Sequence, residues 1–553
     1  MKFFSLIIFF WFLTSSYAQS QSVTQPHPLF KNIGEIKLSL GFTQLHNQLN
    51  NIQPQKKLKV AILDKGFDGF SNEIGKTLPL QTIYKAGPIE NPTDAKTNHG
   101  LRMAQIFTAL VTDNLNHENY IEQLYLYNVF GFTNFKNAID DLIQQKVDLV
   151  LYSEVWEYGG NFDGQGFINN EINKVFKNNI LWINAAGNFN TTTHNTSVRT
   201  GAENWVQLPD QNQSLKIICK STDKCPVKIV LSWNDFKNNT EEGTNKDLDF
   251  VLTDDFLNII QSSSLKQSSD PNENRNGYSK YPREIITAEL NSGTYFIRVK
   301  NRSLNFDSLI DKLRITVDGL NVSMPSNSKN ETILNPADNP LVITVGALDT
   351  ERSSTSVHLQ KPDIWTTSSI ILNDNSEMRG SSNAAAIAAS GVALKLLTYE
   401  TISELEFDRA QILRSLIFSN SSWNRNYGLS LYQLGFNPTG PQCFKSATPQ
   451  FVAQTPPQIQ RVLKLGGVLV ETTMGYRIMT PYDPILLNRN LMRYQINDII
   501  ATTPQGFQLF NRFGFVPQNA IEVFQRPVEV NLCDIQSQPG STLETFNIFK
   551  LFQ

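Results

Sequence analysis

The chain has little of several features that would assign it to a broad class at once. Its 553 residues include only four cysteines and six histidines, and its formal net charge at pH 7 is −3. So small a net charge, with no basic stripe interleaved with aromatics, argues against a nucleic-acid partner. No long apolar run follows the first 18 residues. The composition is otherwise that of a globular protein, and the length predicts roughly two to four domains.

The N-terminus has the pattern of a secretory signal. Lys2 supplies a positive charge, an apolar run covers residues 3–13, and Ser16-Tyr17-Ala18 offers small residues for cleavage. A membrane anchor is the alternative, but the run is short of the ~20 residues that a spanning helix needs. We therefore predict a signal peptide at 1–18 and a secreted, extracellular protein that has no membrane partner in its mature form. A lead-in segment at 19–56 follows.

The four cysteines show no CxxC motif and no metal-ligand spacing, so we expect no metal site built from them. Four cysteines allow three pairings. Cys219 and Cys225 flank a short polar turn and predict a local disulfide. Cys443 and Cys533 would then join the ends of the C-terminal region.

Buried strands alternate with amphipathic helices over much of the chain. The apolar run Val60 to Leu63 ends at Asp64, as expected for a parallel strand covered on both faces. Similar signals recur later, with helical patterns between them. We predict an α/β fold whose parallel sheet is flanked by helices. The further strand signals are Tyr125 to Phe130, Val147 to Tyr152, Ile180 to Ala186 and Leu341 to Val345.

The alternation of strands and helices is interrupted between residues 201 and 319, where apolar residues recur at every second position. Val227, Ile229, Leu231 and Trp233 are one example. Short alternating strands between Asn/Gly/Asp turns predict a β-sandwich. The sandwich would be inserted between two parts of an α/β domain, at 57–200 and 320–425. Residues 426–553 are predicted to form a β-rich C-terminal extension of unknown role.

Four polar residues occupy places suited to catalysis. Asp64 ends a strand, and Asn188 follows another strand at the end of Asn184-Ala185-Ala186-Gly187. His99 begins a helical pattern, where the helix dipole is expected to favour the neutral imidazole of a general base. Ser382 begins a helix rich in alanine. Each has a more ordinary interpretation when taken alone, as a turn residue, a surface histidine or a helix cap.

The order of these motifs resembles that of subtilisin-like serine proteases, the subtilase family, in which Asp, His and Ser follow one another along the chain. Two further segments carry the likeness, Asn335-Pro336-Ala337 through Ala347 and Lys361-Pro362-Asp363-Ile364. The inserted sandwich resembles the pre-peptidase or jelly-roll domains of some secreted proteases. There, Asp247 and Asp249 can serve as calcium ligands or, more commonly, as solvated turn carboxylates.

The resemblance implies a catalytic triad of Asp64, His99 and Ser382, with Asn188 as oxyanion donor. It implies a protein or peptide substrate bound as a strand beside residues 150–156, with Ser153, Val155 and Trp156 as substrate-binding residues. It implies no cofactor and no metal, and we expect a monomer.

Several positions depart from the family pattern. Ala386 stands where the family usually has proline, and Ser381 and Asn383 replace the threonine and methionine beside the nucleophile. Glu154, Val155 and Trp156 replace a glycine-rich pocket edge, so we expect a narrowed pocket and a preference for small P1 residues. The lead-in segment is too short for a folded inhibitory prodomain. Residues 40–49 of that segment predict a helix instead.

Two other function classes remain open from sequence. One is a catalytically inactive subtilisin-like scaffold that binds a protein or glycan. The other is a secreted binding protein whose sandwich and C-terminal region hold a cell-surface partner. All four catalytic positions are filled, which favours the enzyme.

Overall fold

The fold is described from a computed structural model, which covers residues 27–52, 56–92, 96–112, 120–211, 213–274, 278–359 and 361–398, and five strands between 468 and 525. The predicted signal peptide and both Cys443 and Cys533 lie outside the described residues. Within these ranges, no helix combines the length and the apolar character required to cross a bilayer. The described helices are α1 (Ile33–Ser39), α2 (Phe42–Ile52), α3 (His99–Val111), α4 (Gly131–Gln144), α5 (Phe167–Lys177), α6 (Pro271–Asn274) and α7 (Ser381–Thr398).

A seven-stranded parallel sheet confirms the predicted α/β class. Its central strands are almost wholly buried because helices cover the sheet. The strands are β1 (Leu58–Asp64), β2 (Thr82–Lys85), β3 (Ile121–Asn128), β4 (Leu149–Tyr152), β5 (Leu181–Ala185), β15 (Ile343–Ala347) and β16 (Ile364–Thr366), with β6–β14 falling between β5 and β15 in the chain.

The strand order in this sheet is β16-β15-β5-β4-β1-β3-β2. The chain leaves β1 towards β2 and β3 on one side, and later returns to place β4 on the other side. The strand order therefore reverses at the β1–β4 boundary, and a crevice is expected outside the carboxyl ends of these strands. The two strands pair in parallel with Leu63 opposite Tyr152.

Helix α7 is packed against α3 and against β4, β5 and β15. Its residues from Ala384 to Ala389 are fully buried. The small side chains allow this close approach of backbones, and the helix continues without interruption through Ala386. Alanine in place of the family's usual proline is therefore compatible with the helix.

Two antiparallel sheets lie between β5 and β15 in the chain. They enclose an apolar core of their own that includes Trp233, Phe250 and Ile297. A disulfide joins Cys219 to Cys225. The strands reach beyond the predicted 201–319 segment on both sides. Before it, β6 (Thr193–Ser197) pairs with β13 (Lys312–Gly319), and after it, β14 (Val322–Ser323) pairs with β7 (Leu215–Cys219). One sheet has the order β11-β8-β13-β6 and the other β10-β9-β12-β7-β14, from β6 (Thr193–Ser197), β7 (Leu215–Cys219), β8 (Cys225–Trp233), β9 (Leu248–Thr253), β10 (Ile259–Ser263), β11 (Arg283–Leu290), β12 (Gly293–Asn301), β13 (Lys312–Gly319) and β14 (Val322–Ser323).

The segment after β4, residues 153–166, lies against these antiparallel sheets. Glu157 forms an ion pair with Lys228 at 2.8 Å, and its carbonyl oxygen accepts a hydrogen bond from Ser232 Oγ at 3.1 Å. The guanidinium of Arg283 stacks 3.8 Å from the ring centroid of Tyr158. The antiparallel sheets therefore support the segment that follows β4, which we call the β4 loop.

The remaining strands form two small sheets. A hairpin, β17 (Ile370–Ile371) with β18 (Glu377–Met378), precedes α7. In the C-terminal region the described strands form an antiparallel sheet, in keeping with the predicted β-rich extension. They are β19 (Val468–Thr472), β20 (Gly475–Met479), β21 (Ile499–Thr503), β22 (Gly506–Phe510) and β23 (Glu522–Gln525).

Candidate active site

Asp64 is the last residue of β1 and its side chain is buried. One carboxylate oxygen accepts the Lys65 backbone N–H at 2.8 Å, and the other contacts His99 Nδ1 at 2.7 Å and Ser153 Oγ at 2.5 Å. Burial by itself would raise the pKa of this carboxyl, but the neighbouring His99 and these donors hold the pKa below its usual range. Asp64 is therefore a buried carboxylate that can orient an imidazole.

His99 is the first residue of α3, and 41% of its side chain remains exposed. The charge of Asp64 raises the pKa of His99 above its usual value, against the opposing effect of burial, and Glu154 adds to the rise. This direction is opposite to the expectation that the helix N-terminus keeps the imidazole neutral. A carboxylate in direct contact outweighs the partial charge of a helix end.

The close contact between α3 and β1 depends on Gly100. A Cβ atom at this position would lie 2.5 Å from Asp64 Cβ and 2.7 Å from the ring of Phe67. The Gly100 N–H also donates to the Gly66 carbonyl at 2.8 Å. Only glycine therefore permits the approach that brings His99 to Asp64.

Gly100→Ala is expected to destabilise the protein by about 1–3 kcal/mol and to separate His99 from Asp64, with loss of activity, because the added methyl group has no space. Thermal unfolding and active-site labelling would measure the two effects. Gly131→Ala is a comparison for backbone strain alone, since a Cβ there meets no atom within 4 Å but φ is +73°, so this variant should lose stability and keep its labelling. An unchanged melting temperature with full labelling of Gly100→Ala would contradict this account.

Ser382 lies in the first turn of α7 and is nearly buried. Its Oγ donates to the Ser153 carbonyl oxygen at 3.0 Å, and among the described residues it makes no hydrogen bond to His99. Ser153 therefore contacts both Ser382, through its carbonyl, and Asp64, through its hydroxyl. The three predicted triad residues converge on the β1–β4 boundary, with Ser382 Oγ turned towards β4.

Asn188 follows β5 and contacts the start of α7. Its Oδ1 accepts the Ser381 N–H at 3.0 Å, while Ser381 Oγ accepts the Gly187 N–H at 3.1 Å. These two contacts fix the Asn188 amide beside the residue before Ser382. The side chain has an NH₂ group left to donate, as an oxyanion site would need.

The unusual residue after the nucleophile position also has a structural role. Asn383 is buried, and its Nδ2 donates to the carbonyl oxygens of Ser368 at 2.9 Å and Met378 at 3.0 Å. It thus ties the start of α7 to the hairpin before it. Replacement of the family's methionine is therefore accompanied by two hydrogen bonds.

The three predicted substrate-binding residues have different environments. Ser153 is buried between Asp64 and Ser382, and Val155 packs against Ala186 and Ile333. Trp156 does not form a bulky pocket wall, contrary to expectation. Its side chain is 6% exposed and packs against the rings of Phe135 and Tyr158, because its backbone N–H pairs with the Asn335 carbonyl at 2.7 Å.

Sequence analysis missed two charged residues beside the predicted triad. Lys65 follows Asp64, Glu154 follows Ser153, and their side chains form an ion pair. Their position was the available signal, because they lie two residues beyond Leu63 and Tyr152, which pair between β1 and β4. Within the described chain, Asp64, His99 and Glu154 alone form a group of three potential metal-ligating side chains whose ligand atoms lie within 4.8 Å of one another. Since Lys65 already neutralises Glu154, we interpret this group as an acid–base cluster.

Asp247 and Asp249 of the antiparallel sheets do not form such a group. Asp249 is paired with Arg302 instead. Oδ1 of Asp247 is buried and has no hydrogen-bond partner among the described residues, and burial together with the charge of Asp249 raises the pKa of Asp247 to about 6. The calcium interpretation stays a prediction.

Three comparisons relate the chain to known proteins. Among solved structures it is similar to the CspB protease of Clostridium perfringens (13% identity, 69% of this chain and 93% of that one, TM-score 0.44). It is also similar to the prenylagaramide maturation protease PagA (13% identity, 71% of this chain and 94% of that one, TM-score 0.34). A third similar structure is the epidermin leader peptide processing serine protease EpiP of Staphylococcus aureus (12% identity, 72% of this chain and 82% of that one, TM-score 0.34). No curated protein sequence matches it. The family model of the subtilases, Peptidase_S8, matches residues 55–281, which contain Asp64, His99 and Asn188. Residues 55–281 are therefore similar to the peptidase domain of the subtilase family.

Proposed function

We propose that this protein is a secreted serine endopeptidase that hydrolyses peptide bonds through an acyl-enzyme intermediate. The observation that carries the proposal is the contact of His99 Nδ1 with the buried Asp64 carboxylate at 2.7 Å. Ser382, at the start of α7, is linked to this pair through Ser153, whose carbonyl accepts from Ser382 Oγ and whose hydroxyl donates to Asp64. The contact with Asp64 occupies Nδ1 and leaves Nε2 for proton transfer. An oriented imidazole beside a serine hydroxyl is the arrangement that activates a nucleophile.

In the proposed mechanism, rotation of the Ser382 side chain turns Oγ from the Ser153 carbonyl towards His99. Oγ bonds to the substrate carbonyl carbon as its proton passes to His99 Nε2, and Asp64 stabilises the imidazolium. The Asn188 side-chain amide and the Ser382 backbone N–H donate to the oxyanion. When the C–N bond breaks, His99 returns the proton to the leaving amine. A water molecule then attacks the ester by the same route, giving its proton to His99, and the proton finally returns to Ser382 Oγ.

The proposed substrate is an extended protein or peptide segment beside Ser153 and Val155. Val155 packs against Ala186 and Ile333, and its Cγ2 would lie 3.2 Å from a Cβ placed on Gly187, the residue before Asn188. We therefore retain small P1 residues as the proposed preference. Export rests on the signal pattern at 1–18, and the mature enzyme is proposed to act as a monomer.

Labelling with a fluorophosphonate probe tests the proposal, because such probes bond to activated serines. We expect labelling of the wild type and of the control Ser390→Ala, which removes a hydroxyl from the same helix. Ser382→Ala is expected to abolish it. An unlabelled wild type would instead favour the inactive binding scaffold, and a labelled Ser382→Ala would place the nucleophile elsewhere.

A further inference from the structure

Two opposite charges lie directly beside the proposed triad. Lys65 extends from the end of β1 and Glu154 from the end of β4, and their side chains are 41% and 19% exposed. The Glu154 backbone is held by its carbonyl oxygen, which accepts a hydrogen bond from Asn184 Nδ2 at 3.0 Å. The ion pair is thus attached to the same two strand ends that carry Asp64 and Ser153.

Glu154 is close enough to His99 to act on its charge. The carboxylate of Glu154, the carboxylate of Asp64 and the imidazole of His99 have ligand atoms within 4.8 Å of one another. Asp64 lies on β1 and Glu154 after β4, and Lys65, the residue after Asp64, pairs with Glu154. An opposite charge at about 4–6 Å shifts an ionisation equilibrium substantially.

We propose that Glu154 is a positioning residue that acts through His99 as a second carboxylate, and that Lys65 opposes it as a counter-charge. This inference rests on the proposed function for its consequence in catalysis. Glu154 favours the imidazolium that forms when Ser382 loses its proton. The same interaction keeps His99 protonated up to a higher pH before substrate reacts. The neutral imidazole that acts as the base therefore forms only at a higher pH.

The electrostatics of the surrounding groups support this assignment. Asp64 and Glu154 raise the pKa of His99, whereas Lys65 lowers it. The pKa of Glu154 is raised above its usual value by burial and by the charge of Asp64, and Lys65 is the main group that opposes this rise. Lys65 therefore has two effects, since it lowers the pKa of Glu154 and it weakens the field of Glu154 at His99.

Glu154→Gln is expected to move the acid limb of the kcat/KM–pH profile to lower pH by roughly one unit, because a negative charge is lost and Lys65 remains. It is also expected to lower kcat on the alkaline plateau.

The double variant Glu154→Gln/Lys65→Met restores the net charge and should return the acid limb towards the wild-type position. A purely structural role for Glu154 would not be reversed by the second substitution. Asp163→Asn is the matched control, since Asp163 is an exposed carboxylate on the same loop that accepts, among the described residues, only the Gln165 backbone N–H, and the acid limb of this variant should stay in place.

A second measurement separates this inference from the proposed function. The His99 imidazole can be titrated by NMR in the Ser382→Ala background, with histidine labelled at the ring. We expect the midpoint pH of the His99 titration to follow the same order as the acid limb, so that it is lower in Glu154→Gln than in the double variant. If that order holds while the wild type fails to label with fluorophosphonate, the charge assignment stands and the peptidase proposal fails. If the enzyme labels but Glu154→Gln leaves the His99 midpoint unchanged, this inference is overturned.

Discussion

His99→Ala is expected to lower kcat about 10⁶-fold while the protein remains folded, since loss of one triad member removes nearly all of the triad's effect. His99 is the group that accepts and returns the Ser382 proton in the proposed mechanism. Its removal leaves Asp64 with two donors, the Lys65 backbone N–H and Ser153 Oγ, so the buried carboxylate keeps hydrogen bonds. The measurement is steady-state hydrolysis of a peptide substrate, with circular dichroism to confirm the fold.

His358→Ala is the matched control for this loss. His358 is exposed and lies between β15 and β16, so its removal should leave kcat unchanged. Wild-type turnover by His99→Ala would remove His99 from the mechanism. A loss of the folded signal in His99→Ala would instead show that the Asp64 contact is needed for stability.

The second large effect is expected at Asn188. Asn188→Ala should lower kcat by about 10²–10³-fold with little change in KM, as expected for a donor that acts on the oxyanion in the transition state. Because Asn188 Oδ1 also accepts the Ser381 N–H, alanine alone would confound two roles. Asn188→Asp keeps the acceptor and loses the donor, and its negative charge would oppose the oxyanion. It should therefore be at least as impaired as Asn188→Ala, and full activity of Asn188→Asp would refute the oxyanion assignment.

The parts of the fold that local pattern determines were predictable. The apolar run Val60 to Leu63 could only be a buried strand, and Asp64 at its end had to lie at the carboxyl edge of the sheet. The alanine-rich segment after Ser381 likewise predicted a buried helix, because small side chains suit close packing. These signals lie within a few residues of each other and do not depend on distant contacts.

The features that escaped prediction depend on residues far apart in the chain. The direction of Trp156 is set by the backbone of Asn335, 179 residues away. The protonation of His99 depends on Asp64, 35 residues earlier, and on Glu154 after another strand. A propensity such as that of a helix end to favour neutral imidazole is weaker than a charge in direct contact. Site electrostatics therefore required the assembled sheet.

The support of the β4 loop by the antiparallel sheets has a thermodynamic consequence. Besides the ion pair of Glu157 with Lys228, Asn161 exchanges two hydrogen bonds with the backbone of Phe236, at 2.8 and 2.9 Å. Residues of the parallel-sheet region and of the antiparallel sheets thus share one set of contacts along the β4 loop. Unfolding of the antiparallel sheets would break these contacts, so both regions are expected to melt as one cooperative unit. A ligand that binds the folded antiparallel sheets would, by the same linkage, stabilise the β4 loop beside Asp64 and Ser382.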